Sequence, residues 1–215
     1  MDIQILHCLI GEQQISNLMP IRHINPDQVV FWCTEHTQKR CESLEKALKV
    51  ENINCMTEKI SPYDLKSIIS DVEKQIAKSN QVDLNKIMFN LTGGTKFMAI
   101  GSFLVCQKYK IPFCYLQSEG GKNCLYYYTW EGNTPILEDT YQVPSIINLD
   151  EYIKIHVGEY KRRDKHNYYE QLVINCIKDK VDEMISNIYL EEALEVDLIF
   201  RIGNQVGIAE IKTGN

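Results

Sequence analysis

The sequence predicts an α/β protein, because short apolar runs alternate with amphipathic runs over residues 1–118. Strand-like runs such as Ile3–Cys8 and Gln28–Cys33 are separated by helix-like runs such as Thr37–Val50. Strands that alternate with helices predict βαβ units, right-handed crossovers and a parallel sheet. After residue 118 the pattern changes to paired strands around short turns. The predicted fold class is therefore a Rossmann-like α/β domain followed by β-hairpins.

The composition is that of an ordinary globular protein. Hydrophobic residues make up 44% and charged residues 24% of the 215 positions, which excludes a disordered tail, a fibrous repeat and a disulfide-rich miniprotein. No apolar run approaches the roughly 18 residues of a membrane span. The N-terminal Met1–Gln4 lacks the basic flank and apolar segment of a signal peptide. We expect a cytoplasmic protein that has no contact with a membrane.

The charge balance is acidic, with 23 basic and 29 acidic residues and a net charge of −6. A nucleic-acid-binding protein recognised by charge alone has a strongly basic surface, and neither half of this chain predicts one. A polyanion would have to be bound locally, by backbone amides, a few cations or a metal. The eight cysteines form no Cys-x-x-Cys pair and are expected to be buried thiols.

Each predicted element of the first domain has a local signal. The run Gln28–Cys33 is rich in β-branched and aromatic residues, as buried strands are. Ser61-Pro62 predicts a helix start with proline at the first helical position. The predicted strands are Ile3–Cys8, Gln28–Cys33, Ile53–Met56, Lys86–Leu91 and Phe113–Leu116. The predicted helices are Gln13–Ile21, Thr37–Val50, one from Ser61 to about Lys78, and one from the loop at Thr95 to about Tyr109.

The remainder is predicted to hold a hairpin, a connector and a second domain. The hairpin pairs Cys124–Trp130 with Thr134–Glu138 and closes the first domain. A connector with Pro144 carries the basic run 161–165 (Lys-Arg-Arg-Asp-Lys), which is either a solvated loop or a nucleic-acid contact. A helix from His166 to about Val181 and a hairpin complete the chain. The predicted domains are residues 1–145 and 166–215, with a linker at 146–165.

The loop Thr92–Lys96 (Thr-Gly-Gly-Thr-Lys) predicts an anion-binding site. It joins a parallel strand to a helix at the carboxyl edge of the sheet, where open α/β sheets bind ligands. Two glycines let backbone amides approach an anion, and the helix start adds unpaired N–H groups and the positive end of the dipole. A Walker loop is excluded because Phe97 follows Lys96, and no Gly-x-Gly-x-x-Gly occurs.

Residues 91–96 (Leu-Thr-Gly-Gly-Thr-Lys), with Met98 and Ala99, resemble the signature of CARF domains, the CRISPR-associated Rossmann-fold sensors of cyclic oligoadenylates. The resemblance covers about residues 1–140. It implies a two-fold homodimer with one cyclic ligand, tetra-adenylate by resemblance, across the interface. It also places ligand contacts in the loops after the first two strands, where His36 is a further candidate. The implied ligand-binding residues are Gly11, Gln13, Thr34, Thr37, Thr92, Gly93, Gly94, Thr95 and Lys96.

The last hairpin predicts a cluster of charged side chains. A two-residue turn at Gly203-Asn204, with glycine first, suits a type II′ turn. Ile202 then faces Gln205, and counting outward puts Asp197 opposite Glu210 and Glu195 opposite Lys212. Alternation assigns these four to one face. The other face, expected to be core, carries Val196, Leu198, Phe200, Ile202, Ala209 and Ile211. Opposed carboxylates repel each other, and Mg²⁺ or Mn²⁺ would resolve the conflict.

The spacing Asp197-x12-Glu210-x-Lys212 resembles the PD-(D/E)xK nuclease signature, with Val196 in place of the family's proline. The resemblance implies that Asp197 and Glu210 bind the metal, that Lys212 assists catalysis and that Glu170 adds a further acid. It also implies a restriction-endonuclease-like domain that is only partial here, since the chain stops at 213–215 (Thr-Gly-Asn), where that fold continues. Either the chain is a fragment or a partner subunit covers the exposed face, and we expect a fragment.

Together the two resemblances imply an endonuclease that cuts DNA or RNA, with a single strand as the expected substrate, in antiviral CRISPR defence. A cyclic oligoadenylate would activate it allosterically, with Mn²⁺ or Mg²⁺ as cofactor. Two alternatives stay open. The chain could be a CARF-type sensor or transcriptional regulator without catalysis, for which Asp197, Glu210 and Lys212 would have no use on one surface. Alternatively, the first domain could degrade its own cyclic ligand.

Overall fold

A computed structural model describes residues 2–79, 81–144, 147–163, 168–190 and 194–212. The chain divides into two compact units. The first runs to Glu119 and resumes at Asn123–Val143. The second comprises Gly120–Lys122 and the chain from Pro144 onward. Each unit has its own sheet and is described by itself.

The first unit is built on a seven-stranded sheet in the order β3-β2-β1-β4-β5-β6-β7. The strand pairs β1–β2, β2–β3, β1–β4 and β4–β5 are parallel, and β6–β7 is an antiparallel hairpin. The prediction of a mostly parallel α/β sheet ending in a hairpin is confirmed. The strands are β1 Ile5–Leu9, β2 Gln28–Cys33, β3 Asn54–Lys59, β4 Ile87–Asn90, β5 Phe113–Glu119, β6 Lys122–Glu131 and β7 Thr134–Val143.

Four helices connect the parallel strands: α1 Ile15–Ile24, α2 Gln38–Lys49, α3 Leu65–Lys78 and α4 Lys96–Tyr109. Short 3₁₀ turns lie at Glu35–Thr37 and Leu84–Lys86. Helix α3 begins later than predicted, because the Asp64 carboxylate caps it by accepting hydrogen bonds from the backbone N–H groups of Lys66 and Ser67. Pro62 therefore lies in the preceding loop. None of the helices in the described residues is long and apolar enough to cross a membrane.

The core of this unit lies between the sheet and the helices that cross it. Leu9, Trp32 and Phe89 from three neighbouring strands pack with Met98 and Val105 of α4. Burying large side chains of this kind contributes roughly 1.5–3 kcal/mol each. The carboxyl ends of β1, β2 and β4 are thereby held in fixed positions relative to α4.

The second unit contains a four-stranded antiparallel sheet in the order β11-β10-β9-β8. Its elements are α5 Leu149–Val157, β8 Tyr160–Arg162, α6 Tyr168–Ile177, β9 Glu183–Leu190, β10 Leu194–Ile202 and β11 Gln205–Ala209. Residues 146–165, expected to be a linker, therefore carry α5 and β8. Strand β9 was not foreseen. Leu149 and Ile153 of α5 pack on Ile185, Ile188 and Ile199 of the sheet.

The β10–β11 hairpin has the predicted register, with Ile202 paired to Gln205 and Leu198 to Ala209. Gly203 has a φ of +60°, as the first turn position of a type II′ turn requires. The predicted core face holds only in part: Val196 and Leu198 are buried, whereas Phe200 is only half-buried. Ile199 is buried in the same cluster as Val196, whereas Ile202 is half exposed. Strict alternation is therefore broken between Val196 and Ile199, where Asn187 on β9 has a left-handed φ of +51°.

Candidate functional site

A cavity of about 640 Å³ opens at the carboxyl edge of the parallel sheet. Four strands contribute to it through the loops that follow them, which is the position where open α/β sheets bind ligands. The lining residues are Ile10, Gly11 and Glu12 after β1, Cys33 to Thr37 at the end of β2, Lys59 to Tyr63 at the end of β3, and Gly94 and Thr95 after β4.

The loop after β4 is shaped by close packing. A Cβ at Gly93 would lie 2.0 Å from the backbone oxygen of Leu9, so only glycine fits beside β1. Gly94 has a left-handed φ of +72°, and a Cβ there would meet the Cβ of Leu9 at 2.9 Å. Both glycines therefore let this loop lie directly against the end of β1, which brings Gly94 into the cavity wall.

Thr95 fixes the start of α4 and one side of the cavity. Its hydroxyl accepts a hydrogen bond from the Met98 N–H at 3.1 Å, the contact expected of a helix N-cap. The same hydroxyl donates to the backbone oxygen of Pro62 at 2.6 Å. Thr95 thereby ties the loop after β3 to the loop after β4.

Five of the nine predicted ligand-binding residues line the cavity: Gly11, Thr34, Thr37, Gly94 and Thr95. The 3₁₀ turn is closed by Thr37, whose hydroxyl accepts the Thr34 N–H at 3.0 Å. His36, the additional candidate, also lines the cavity.

The other four, Gln13, Thr92, Gly93 and Lys96, are not among the lining residues. The Thr92 hydroxyl donates to Asn90 Oδ1 at 2.6 Å and accepts the Leu116 N–H at 2.7 Å, so it joins β4 to β5. Lys96 is exposed at the start of α4. Their roles as ligand contacts stay predictions.

Residues 59–63 form a wall of the cavity that was not predicted from the sequence. Strand β3 was predicted to end at Met56 but continues to Lys59, so the loop that follows it starts later than expected. Lys59 and Tyr63 bring a cation and an exposed aromatic ring to the cavity. The topology alone could have indicated this wall, because the loop follows a parallel strand and therefore lies at the same edge of the sheet as the other loops.

Two acidic residues, Glu12 and Glu35, line the same cavity as Lys59. The Glu12 carboxylate forms an ion pair with Arg40 of α2 and lies 3.4 Å from His36 Nε2. The loop after β1 is therefore linked by charge to the loop after β2 and to α2.

The comparison with known protein families bears directly on this cavity. The model of the Card1 CARF domain matches residues 5–152. The chain belongs to this family. No curated protein matches the sequence.

Solved structures agree with the CARF fold. Can2 from Sulfobacillus thermosulfidooxidans, in complex with cyclic tetra-adenylate, has a TM-score of 0.75 at 12% identity, covering 97% of this chain and 79% of that one. Protein VC1899 from Vibrio cholerae has a TM-score of 0.73 at 13% identity, covering 98% and 80%. A type III CRISPR defence DNA nuclease activated by cyclic oligoadenylate has a TM-score of 0.64 at 13% identity, covering 97% of this chain and 40% of its own.

The second predicted site lies on the β10–β11 hairpin that follows the CARF domain. β11 ends at Ala209, so Glu210 lies just beyond the ladder and no residue pairing joins it to Asp197. Instead, the Ile211 N–H donates to Asp197 Oδ2 at 2.6 Å. Glu210 forms a 3.1 Å ion pair with Lys212, and the side chains of both are more than two-thirds exposed.

Tyr189 of β9 has charged neighbours from several elements of the second unit. The Tyr189 hydroxyl donates to the Glu195 carboxylate, and this hydrogen bond is the main reason why the pKa of Tyr189 is raised. Burial and the negative charges of Glu195 and Glu170 raise the pKa further, and the positive charge of Arg163 opposes them. Glu195, expected opposite Lys212, is thus bound to Tyr189. The guanidinium of Arg163 stacks over the Tyr189 ring, with its carbon 4.3 Å from the ring centre.

The basic run at 161–165 is described only in part. Lys161, Arg162 and Arg163 are exposed, whereas Asp164 and Lys165 lie outside the described residues. His166, the predicted start of the following helix, lies outside them too. The described part of the run provides positive charge next to Tyr189, which suits either a solvated surface or a contact with phosphate.

The donors for the predicted metal are hard carboxylate oxygens, the type that Mg²⁺ and Mn²⁺ prefer. Asp197 is positioned by the Ile211 N–H. Within residues 2–212, leaving aside the undescribed positions, no group of three or more His, Cys, Asp or Glu side chains is arranged to hold a metal. For a cation to bind here, the Glu210 carboxylate would leave its ion pair with Lys212 and contact the metal instead.

Proposed function

We propose that this protein binds a cyclic oligoadenylate, tetra-adenylate in particular, in the cavity of its CARF domain. The observation that carries the proposal is a cavity at the carboxyl edge of the sheet in a chain that belongs to the Card1 CARF family. Can2, which shares the fold, was solved with cyclic tetra-adenylate bound. The proposed role is sensing of this signal in type III CRISPR defence.

The cavity offers the contacts that a phosphorylated, adenine-bearing ring needs. A hydroxyl comes from Thr34, a closely approachable backbone from Gly94, and a cation from Lys59. The exposed ring of Tyr63 offers a surface on which a base can stack. Most of these groups are neutral. This agrees with the acidic composition of the chain, which offers a polyanion local contacts rather than a basic surface.

The proposed sensor is a homodimer that pairs through α4. Helix α4 is apolar on two faces: Met98 and Val105 are buried, whereas Phe97, Ile100 and Leu104 are 45%, 50% and 41% exposed. These three positions fall on one side of a helix, and an exposed apolar stripe of this kind marks an interaction surface. Tyr63, which lines the cavity, packs edge-on against Phe97. The stripe is thus continuous with the cavity that a second copy would complete.

The second unit is proposed to carry a PD-(D/E)xK nuclease site controlled by this sensor. Asp197 and Glu210 would hold Mn²⁺ or Mg²⁺, which lowers the pKa of a bound water and neutralises charge on the scissile phosphate. The Ile211 N–H orients the Asp197 carboxylate toward the end of β11. Lys212, once released from Glu210, can position the attacking water or stabilise negative charge on the phosphate. Glu170 is the proposed additional acid, and the proposed substrate is single-stranded DNA or RNA.

A sensor or regulator without catalysis is the second candidate, and the exposed Glu210–Lys212 ion pair favours it. On this hypothesis the carboxylate is satisfied by its neighbouring lysine and needs no metal. The same cavity would then pass its signal to a partner protein or to DNA.

One experiment separates the two candidates. Purified protein is incubated with Mn²⁺ and either a labelled single strand or a supercoiled plasmid, with and without cyclic tetra-adenylate. We expect cleavage that depends on the activator and is about 100-fold slower in Glu210→Ala, because loss of even an outer partner of a metal site costs about 10- to 100-fold in activity. Glu159→Ala, which removes another exposed carboxylate of the second unit, should cut like the wild type. Binding of the activator without cleavage would support the non-catalytic sensor.

A further inference from the structure

The Glu12 carboxylate is placed where a bound anion would compete with it. Glu12 lines the cavity, together with His36, which lies 3.4 Å from it. Arg40 is not among the lining residues, and its guanidinium is paired with Glu12. The positive charge of Arg40 is therefore separated from the cavity by a carboxylate of the protein itself.

The surroundings of Arg40 call for a negative charge. Arg40 is in the first turn of α2, next to Lys39, and that turn contains no acidic residue. The N-terminus of a helix carries partial positive charge, which disfavours cations there. Glu12, reaching over from the loop after β1, supplies the compensating charge. An anionic group of a ligand in the same place would supply it equally well.

We infer that Glu12 occupies the position of a ligand phosphate, and that an anionic ligand displaces it and takes over Arg40. This inference rests on the proposed function, since it uses the same cavity. The pair is partly exposed, with 63% of the Glu12 side chain and 27% of the Arg40 side chain accessible. Ion pairs at such sites contribute little to stability, so the exchange is energetically easy. Arg40 is then a phosphate-binding residue, and Glu12 is an internal competitor.

The exchange has a consequence for ligand choice. A ligand that opens the Glu12–Arg40 pair must offer negative charge of its own, because a guanidinium left without a partner loses a charge-assisted hydrogen bond. A neutral nucleoside cannot compensate Arg40, whereas a phosphodiester can. The pair therefore favours phosphorylated ligands even though the cavity wall carries two acidic residues.

A double-mutant cycle tests the exchange. The affinity for cyclic tetra-adenylate is measured by calorimetry for the wild type, Glu12→Gln, Arg40→Gln and the double variant, and inorganic triphosphate is titrated in parallel. We expect Glu12→Gln to tighten binding about fivefold and Arg40→Gln to weaken it about tenfold. In the Arg40→Gln background, Glu12→Gln should change the affinity less than about twofold.

Glu35→Gln is the matched control, because it removes the same charge from the lining of the same cavity. Glu35→Gln should change the affinity only slightly, and by the same factor in the wild-type and the Arg40→Gln backgrounds. If Glu12→Gln behaves like Glu35→Gln in both backgrounds, the exchange is overturned while the sensor function stands. If cyclic tetra-adenylate fails to bind but triphosphate shows the predicted cycle, the proposed function fails and the exchange stands. Absence of binding by both probes overturns both.

Discussion

His7 shows how a single residue can make the stability of this fold depend on pH. It lies in β1, fully buried, and is stacked on Phe89 with ring centres 4.4 Å apart. Trp32 Nε1–H donates to His7 Nδ1 at 3.0 Å, so Nδ1 is the acceptor and the ring is neutral. Burial lowers the pKa of His7 to about 3, because the imidazolium would lose its hydration there.

The lowered pKa predicts that the protein becomes less stable as the pH falls. A histidine in the unfolded chain has a pKa of about 6.5. Below that pH, His7 is protonated in the unfolded state but stays neutral in the folded state. The stability contributed by neutral His7 is fully present above pH 6.5. About 2 kcal/mol of it is lost between pH 7 and pH 5. Urea unfolding at a series of pH values measures this loss.

His7→Gln tests the assignment, since it removes the titrating group and keeps an acceptor for Trp32. Its stability should change less between pH 7 and pH 5 than that of the wild type. His36→Gln, at a side chain that is 82% exposed, should keep the dependence of the wild type. An unchanged pH dependence in His7→Gln would mean that another group causes it.

At the scale of single elements, α5 depends on a side-chain cap. Asn148 Oδ1 accepts the Glu151 N–H at 2.9 Å, and this cap holds Leu149 against Ile185 and Ile188. Asn148→Ala should destabilise the second unit by about 1 kcal/mol, whereas Asn148→Asp should be nearly neutral because aspartate caps as well as asparagine. Hydrogen exchange of the α5 amides measures the effect locally. Equal exchange in both variants would show that packing alone fixes this helix.

The elements also show what the sequence could predict. The register of the β10–β11 hairpin was predictable, because a glycine-first two-residue turn determines which residues pair. Helix α5 was missed, although Asn148 followed by Glu151 is a start signal, because Pro144 and the basic run made the segment look like a connector. Strand β9 was missed because the left-handed Asn187 interrupts its pattern.

The candidate sites were predictable from the sequence in part. Local glycine and threonine chemistry indicated the loops after β1, β2 and β4. The wall after β3 was hidden, because this edge strand is polar and shows little apolar alternation. Counting residues outward from the turn placed Glu210 opposite Asp197, but counting does not show where the paired strands end. In the structure Asp197 accepts a hydrogen bond from the Ile211 N–H and, among the described residues, has no partner in the strand pairing. Such contacts depend on where a strand ends, and the apolar pattern does not encode that.

For the whole molecule, the decisive question is whether the stripe of Phe97, Ile100 and Leu104 joins two copies. Ile100 is half exposed at its centre, and a glutamate there would bury a charge in each half of a symmetric interface. We expect Ile100→Glu to be monomeric in sedimentation equilibrium at concentrations where the wild type is a dimer. Ile208→Glu, at an exposed isoleucine of the second unit, should remain dimeric. Since a ligand shared between two cavities needs both copies, Ile100→Glu should also bind cyclic tetra-adenylate at least about tenfold more weakly. A dimeric Ile100→Glu would place the interface elsewhere, and a monomeric variant with full affinity would show that one cavity suffices for the ligand.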